Sequence, residues 1–352
     1  MESSTDNLVN FYFIQIQLDK LRRPLLIFSK SLLLIIVMAI TIYIAYITTI
    51  TVRYSYKPQQ KYNGPRGVIV TLLRSTNRSI LLTINMIHSV MKFHSINSNS
   101  SYPFLIFHDQ NFTSHMRQHL LSCVLKHSKT VTILFALIHF PTSILPYNMS
   151  NAKQGLGYRF MCRFWTYDVF YHPAVKDGQY DYLMRMDADS YFSDDVKHDL
   201  FLYMTRRNLD YMYRSYYTEP SISMKPLLQH FFENKPFITN CIYNNFFIMR
   251  LKWYYESEPV QTFVGELIRD HLILREYIGD GCTHAVMLKI DKQVKVELFK
   301  DIPYGHNYHV MPQGMGMMFR VSKTFQAELQ KSCHQLTVLR GPKGELTQIN
   351  IP

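Results

Sequence analysis

The chain has 352 residues, of which 47% are hydrophobic, so it can bury one large core or two modest ones and is not an intrinsically disordered protein. Its formal net charge is +12 at pH 7, but the basic residues are spread along the sequence and accompany no nucleic-acid-binding motif, which argues against a nucleic-acid-binding protein. The charge instead suits an anionic ligand or a membrane surface.

An uncharged apolar run, LLLIIVMAITIYIAYITTITV, covers residues 32–52. Its length is that of a helix that spans a bilayer. A basic tail, residues 1–31, precedes the run and no clean small-residue cleavage site follows it, so the pattern predicts an uncleaved signal anchor rather than a signal peptide. Residues 53–66 mix Pro, Gly, Gln and Lys and are interpreted as a stem. Residues 67–352 are predicted to form the folded domain.

The orientation of this anchor is indicated by sequons, because lysines and arginines flank both of its ends. The sequons, at Asn77, Asn99, Asn111 and Asn148, all follow the anchor. They predict a type II protein whose C-terminal domain lies in the secretory lumen. The five cysteines also follow the anchor, where disulfides are permitted, and an odd number leaves at least one thiol unpaired within a monomer. No Cys-x-x-Cys pair or Cys/His cluster indicates zinc.

Segments with strand and helix character alternate after the stem. The predicted order is a strand at 67–73, a helix at 79–93, a strand at 102–107, a helix at 113–125 and a strand at 130–138. This alternation predicts a largely parallel sheet flanked by helices on both faces. Ligands of such sheets bind beyond the carboxyl ends of the strands. Arg74 and the pair His108 and Asp109 follow two of these strands.

The segment Tyr180 to Ser190 is predicted to be a buried central strand that ends at two acidic residues, Asp187 and Asp189. Two carboxylates one residue apart can share a divalent cation beside a diphosphate. The alternative is a solvated acidic turn, since acidic residues are common in turns. The position at a strand end favours the metal site.

Three further segments carry polar side chains that sequence alone interprets in more than one way. Tyr158 and Arg163, in a helical segment, can clamp a nucleotide base and a diphosphate, or the arginine can form a local ion pair in a packed helix. Residues 279–284 are predicted to be a polar turn before the apolar run 285–290. Residues 303–309 are predicted to be a loop, in which His306 and His309 are either metal ligands or simply exposed.

Several of these segments together resemble the fungal Golgi α-1,2-mannosyltransferases of glycosyltransferase family fifteen, of which the chain is a divergent member. The most specific similarity is Tyr-Arg-Phe-Met-Cys-Arg-Phe at 158–164, where the family has Tyr-Arg-His-Met-Cys-Arg-Phe. The other similar segments, in the same order, are 68–74, 180–189, 239–246, Gly279 and Asp280 with His284, and 304–306.

The resemblance implies a GT-A fold, a single-pass type II protein of the Golgi membrane, and retaining transfer of mannose from GDP-mannose to a mannoside or to an N- or O-linked glycan, with Mn²⁺ as cofactor. It implies that Asp187 lies beside the metal and the sugar nucleotide, that Asp189 and His306 bind the metal, and that Tyr158 and Arg163 lie near the nucleotide. Asp280 is expected near the acceptor or the reacting sugar. Arg74 is expected to help bind the diphosphate.

One position departs from the family. Where the family has Asn-Phe-Glu-Ile, with the glutamate proposed as nucleophile, this chain has Asn-Phe-Phe-Ile at 245–248. Phe247 can neither attack an anomeric carbon nor stabilise its developing charge. Three explanations are open: front-face transfer without an enzymic nucleophile, substitution by a carboxylate such as Glu256 or Glu258, or loss of activity in a glycan-binding protein. A donor other than GDP-mannose is a further alternative.

Overall fold

The computed structural model describes residues 38, 41, 64–95, 102–127, 131–140, 154–218, 221–232, 240–307, 309–315, 319–320, 339–340 and 346–348. The chain divides into two units between Tyr62 and Asn63, and every element given below belongs to the second unit. The predicted cytosolic tail, the predicted anchor apart from residues 38 and 41, and most of the predicted stem lie outside the described residues. Within the described ranges, no helix has both the length and the apolar character needed to cross a bilayer.

The centre of the domain is a seven-stranded sheet in the order β10-β6-β9-β4-β1-β2-β3. Its strands are β1 (Gly67–Leu73), β2 (Phe104–His108), β3 (Ile133–Leu137), β4 (Tyr182–Met186), β6 (Tyr211–Tyr213), β9 (Phe246–Arg250) and β10 (Val296–Leu298). Neighbouring strands are parallel except at β9, which runs antiparallel to both β4 and β6. The predicted α/β class and the three predicted N-terminal strands are therefore confirmed, and the sheet is mixed.

The central strands are buried along almost their whole length and are mostly apolar, because helices cover both faces of the sheet. Successive residues of β4 alternate between two buried clusters, with Leu183 in one cluster and Met184 in the other. One cluster includes residues of the helices from 156–171 and 251–290, and the other includes residues of the helices from 77–95, 114–127 and 200–206. A side chain of β4 or β9 is thereby directed towards one helical layer or the other.

The helices are α1 (Asn77–Val90), α2 (Ser114–His127), α3 (Leu156–Arg163), α4 (Val169–Tyr171), α5 (Pro173–Lys176), α6 (Leu200–Arg206), α7 (Ser221–Phe231), α8 (Leu251–Glu256), α9 (Glu258–Arg269), α10 (Leu272–Glu276) and α11 (Asp280–Ile290). One π-helical turn, Met91–Ser95, extends α1, and another, Phe164–Asp168, joins α3 to α4. Asp199 caps α6 by accepting from the backbone N–H groups of Phe201 and Leu202.

A second sheet contains four antiparallel strands, β5 (Ser190–Phe192), β11 (Tyr304–His306), β12 (His309–Met311) and β13 (Phe319–Arg320). The prediction of a loop at 303–309 is wrong, because β11 and β12 form a hairpin whose first strand pairs with β5. The pairing places His306 opposite Ser190, directly after the turn that carries Asp187 and Asp189. Short strands of this kind are invisible to periodicity, since three residues do not establish a pattern.

The prediction of a polar turn at 279–284 is also wrong, because helix α11 begins at Asp280. A disulfide between Cys241 and Cys282 joins this helix to β8 (Asn240–Ile242), which pairs with β7 (Tyr216–Thr218). Gly281 lies against the backbone here, and an added Cβ would overlap the carbonyl of Ile242. Two glycines among the six residues 279–284 favoured a turn in sequence, whereas the second glycine is needed for this close approach.

Candidate active site

The site is built where β4 ends and β9 begins. The backbone N–H of Asp187 donates to the carbonyl of Asn245 at 3.1 Å, and the N–H of Ser190 donates to the carbonyl of Asp187 at 2.9 Å. These two bonds fix the turn from 187 to 189 between the central sheet and the second sheet. The acidic turn is thus anchored at both ends and lies at the carboxyl end of β4, where sequence placed it.

Asp187, Asp189 and His306 form a cluster with the donor set of a metal site. One ligand atom from each lies within 4.8 Å of the others, and all three residues are partly buried. His306 Nε2 lies 3.0 Å from Asp189 Oδ1 and 3.9 Å from Asp187 Oδ2. Carboxylate oxygens and an imidazole nitrogen suit Mn²⁺, so the residues present fit the cofactor that the resemblance implies.

The charges of this cluster stabilise one another. Burial alone lowers the pKa of His306, but the hydrogen bond to Asp189 and the negative charges of Asp189 and Asp187 outweigh burial and raise the pKa above its ordinary value. Burial alone raises the pKa of Asp189, but the hydrogen bond and positive charge of His306 outweigh it and lower the pKa. A divalent cation would therefore compete with a proton on His306.

Arg185 lies beside this cluster and was not singled out in sequence. It is 2% exposed, its Nε donates to Asp187 Oδ1 at 2.8 Å, and its Nη1 donates to Asp280 Oδ2. The guanidinium carbon lies 4.1 Å from the centroid of the Trp165 ring. Arg185 thus joins the acidic turn to the first residue of α11. The available signal was a charged residue within an otherwise buried apolar strand.

Asp280 is 7% exposed, and Arg185 and Asn244 both donate to its carboxylate. Besides Arg185, the side-chain amide of Asn244 donates to its Oδ2 at 3.1 Å. The structure therefore connects Asp280 to Asp187 through one shared guanidinium, although the two carboxylates are far apart in sequence.

The predicted nucleotide-binding residues lie in different surroundings. Tyr158 is 42% exposed, and its ring centroid lies 5.9 Å from that of Tyr277. Burial raises the pKa of Tyr158, and the negative charge of Asp280 acts in the same direction. Arg163 Nη2 lies 3.2 Å from Asp168 Oδ1, which is the local ion pair considered in sequence. Arg74 is exposed after β1. The nucleotide-binding roles of Tyr158, Arg163 and Arg74 stay predictions.

Three consecutive residues between β8 and β9, namely Tyr243, Asn244 and Asn245, hold the charged groups. The Tyr243 hydroxyl lies 2.9 Å from His306 Nδ1. The Asn245 amide donates to Asp187 Oδ2 at 2.5 Å. We call residues 243–245 the site strap. In sequence these residues belong to the segment 239–246 that resembles the family, and the strap's contacts depend on a strand pairing that sequence does not give.

Phe247 is fully buried and lies opposite Arg185 in the pairing of β4 and β9. Its ring stacks on that of Tyr211, with centroids 5.4 Å apart, and lies 4.9 Å from the ring of His284. His284 is also fully buried, its Nε2–H donates to the Trp165 carbonyl at 3.0 Å, and its Nδ1 accepts from the Tyr211 hydroxyl at 2.8 Å. An aromatic wall thus occupies the position of the family's glutamate.

The two glutamates considered as replacements lie elsewhere. Glu256 has a side chain that is 67% exposed and lies 3.8 Å from Lys252 in a surface pair. Glu258 begins α9 and lines a surface groove with Phe231, Phe263 and Glu266. Neither contact involves Asp187, Asp189 or His306.

The sequence is similar to known mannosyltransferases. The model of the glycolipid 2-alpha-mannosyltransferase family matches residues 48–251. The chain is 27% identical over 174 residues to alpha-1,2 mannosyltransferase KTR1 of Saccharomyces cerevisiae, a match that covers 46% of this chain and 43% of KTR1. It is 24% identical over 295 residues to O-glycoside alpha-1,2-mannosyltransferase omh1 of Schizosaccharomyces pombe, covering 72% of this chain and 71% of omh1.

Solved structures show the same fold. Core-mannan synthase A of Aspergillus fumigatus, in its Mn/GDP form, aligns with a TM-score of 0.60 at 17% identity and covers 79% of this chain and 85% of its own. The mannosyltransferase Ktr4p of S. cerevisiae in complex with GDP aligns with a TM-score of 0.58 at 18% identity, with the same coverage. Because the family model covers more than half of the sequence, the chain belongs to the glycolipid 2-alpha-mannosyltransferase family.

Proposed function

We propose that the chain is a metal-dependent, retaining hexosyltransferase with a GT-A fold that moves mannose from GDP-mannose to a mannoside acceptor. The observation that carries the proposal is the cluster of Asp187, Asp189 and His306 at the end of β4 in a member of this family. The names of KTR1 and omh1 support the α-1,2 linkage, and the Mn/GDP form of core-mannan synthase A supports Mn²⁺ and a guanosine nucleotide.

The charge balance of the site supports a divalent ligand. Arg185 contributes one positive charge, whereas Asp187, Asp189 and Asp280 each contribute a negative one. A divalent cation would therefore neutralise the site when His306 is uncharged. When bound, Mn²⁺ supplies positive charge that stabilises the departing diphosphate. Asp187, Asp189 and His306 would hold it.

The remaining residues have distinct proposed roles. Arg185 is already paired with two carboxylates, so it positions Asp187 and Asp280 rather than binding phosphate. Arg74, exposed at the end of β1, is proposed to bind the diphosphate. The half-exposed ring of Tyr158 is proposed to lie against the nucleotide base. Arg163 would have to exchange Asp168 for the diphosphate in order to take part.

The chemistry proposed is front-face transfer. The acceptor hydroxyl attacks the anomeric carbon from the face that the diphosphate leaves, the bond from that carbon to the phosphate oxygen breaks, and the hydroxyl proton passes to the departing phosphate oxygen. Asp280 orients the acceptor hydroxyl. The buried aromatic wall of Phe247, Tyr211 and His284 supports this route, because it offers no carboxylate for a covalent intermediate.

We further propose that the domain is lumenal in the Golgi and is attached by the predicted anchor at 32–52. The disulfide between Cys241 and Cys282 supports an oxidising compartment. Asn77 and Asn111, two of the sequon asparagines, are exposed and accessible to a glycan. Endoglycosidase treatment tests these sites by the mobility shift that it causes on a gel. An equal shift in wild type and in an Asn77→Gln, Asn111→Gln variant would argue that neither site is used.

The test is transfer by the full chain in detergent, with GDP-mannose, methyl mannoside and Mn²⁺. We expect release of GDP with extension of the mannoside, loss of at least 100-fold in Asp189→Asn, and retention in the control Asp195→Asn, an exposed residue beyond β5. A panel of other nucleotide sugars tests the donor. Silence across the panel by a folded protein would instead support the glycan-binding alternative that Phe247 favours.

A further inference from the structure

Tyr243 contacts His306 from the side opposite the metal-ligating cluster. Its hydroxyl lies 2.9 Å from Nδ1, whereas Nε2 of the same ring faces Asp189 at 3.0 Å. The two rings meet edge-on, with centroids 5.7 Å apart and planes at 84°. One nitrogen of His306 is therefore directed at the candidate ligand site and the other at a single hydroxyl.

This arrangement restricts the tautomer of His306. Nε2 can donate its lone pair to a cation only if it carries no proton, and a neutral imidazole then carries its proton on Nδ1. That proton needs an acceptor, since a partly buried N–H without a partner costs free energy. The Tyr243 hydroxyl is placed to accept it. A tyrosine hydroxyl offers lone pairs for this purpose, whereas a phenylalanine ring offers none.

The element that carries Tyr243 is firmly held. Its backbone N–H donates to the Ser215 carbonyl at 2.9 Å, and its ring lies edge-on to that of Tyr217. Two residues earlier, Cys241 is bonded to Cys282 of α11. The hydroxyl is therefore offered from a fixed position, while His306 lies on a hairpin that pairs with β5.

We propose that Tyr243 is a positioning residue that selects the metal-binding tautomer and orientation of His306. The proposal rests on the metal site of the proposed function. It assigns to Tyr243 no contact with the substrate and no proton in the transfer step. Hydrogen-bond partners of metal-ligating histidines typically change metal affinity by about 10- to 100-fold when they are removed.

The test compares wild type with Tyr243→Phe in the full chain in detergent. Binding of Mn²⁺ is measured by electron paramagnetic resonance, without donor or acceptor, and the Mn²⁺-induced rise in melting temperature gives a second readout. The control is Tyr171→Phe, which removes a hydroxyl that donates to Gln261 Oε1 at 2.6 Å away from the metal-ligating cluster. We expect the Mn²⁺ dissociation constant to rise at least tenfold in Tyr243→Phe and to be unchanged in Tyr171→Phe.

The activity readout separates positioning from a general structural loss. In Tyr243→Phe the Mn²⁺ concentration for half-maximal transfer should rise about tenfold, and kcat at saturating Mn²⁺ should return to near the wild-type value. Equal Mn²⁺ affinity in wild type and Tyr243→Phe would overturn the inference and leave the proposed function standing. Absence of Mn²⁺ binding by folded wild type would overturn both.

Discussion

Replacing His284 by glutamine should flatten the dependence of stability on acid pH. His284 is fully buried beneath Phe247, and both of its ring nitrogens are hydrogen-bonded in the neutral form, to the Trp165 carbonyl and the Tyr211 hydroxyl. Burial lowers its pKa from the ordinary 6.5 to about 4. Because the unfolded chain takes up this proton at the ordinary pKa, acid favours unfolding between these two values.

The magnitude follows from the pKa. A decrease from 6.5 to about 4 corresponds to about 3 kcal/mol, because each tenfold change in proton affinity is worth about 1.4 kcal/mol. The stabilising contribution is complete above pH 6.5, declines as the pH falls, and is gone below about 4. His94 is also fully buried, and burial likewise lowers its pKa to about 4. Wild type and His284→Gln therefore share a second pH-dependent contribution of the same sign. The difference between their free energies of unfolding, followed against pH, isolates the contribution of His284.

The assay is urea unfolding at a series of pH values from about 7.5 to about 4.5, across the window in which the unfolded chain binds the extra proton. The chain has two tryptophans, Trp165 and Trp253, and both are buried, so fluorescence reports global unfolding. His115→Gln, at an exposed position of α2, controls for the substitution itself. The His284→Gln variant is expected to be less stable than wild type at neutral pH. Its free energy of unfolding, plotted against pH, should converge on that of wild type as the pH falls. If the two plots run parallel across this pH range, the inference that buried His284 is neutral is refuted.

Three other changes test separate features. Gly281→Ala should destabilise by about 1–3 kcal/mol, because the added methyl group overlaps the backbone carbonyl of Ile242, and an unchanged urea midpoint would contradict that close approach. Replacing Cys241 and Cys282 together by alanine should lower the free energy of unfolding by about 4 kcal/mol, which is the loop-closure value for a sequence separation of 41. A melting temperature equal to that of wild type would count against the disulfide bond. Asp189→Asn should weaken Mn²⁺ binding at least tenfold by electron paramagnetic resonance, and undiminished affinity would exclude it as a ligand.

Patterns within single segments gave much of the fold. The apolar runs of β1 and β2 and the acidic turn at Asp187 and Asp189 were predictable, since burial on both faces and a pair of carboxylates after a strand are visible locally. These features need only the neighbouring residues of the chain, and the structure confirms the two strands.

Contacts between distant segments were not predictable in the same way. Arg185 meets Asp280 because β4 ends beside the start of α11, and Tyr243 meets His306 because β11 pairs with β5. Each contact depends on strand register, which the local sequence does not specify. The hairpin at 303–309 was missed for the same reason, because its strands are stabilised by pairing with each other, with β5 and with β13 rather than by local preference.

The site strap constrains how this protein can vary through evolution. Tyr243, Asn244 and Asn245 reach three different groups, His306, Asp280 and Asp187, from consecutive positions. Inserting or deleting one residue within the strap would shift all three contacts at once, whereas a substitution affects one contact. Diversity among homologous sequences should therefore take the form of residue exchanges at fixed spacing between the flanking strands, with gaps in an alignment excluded from this short stretch.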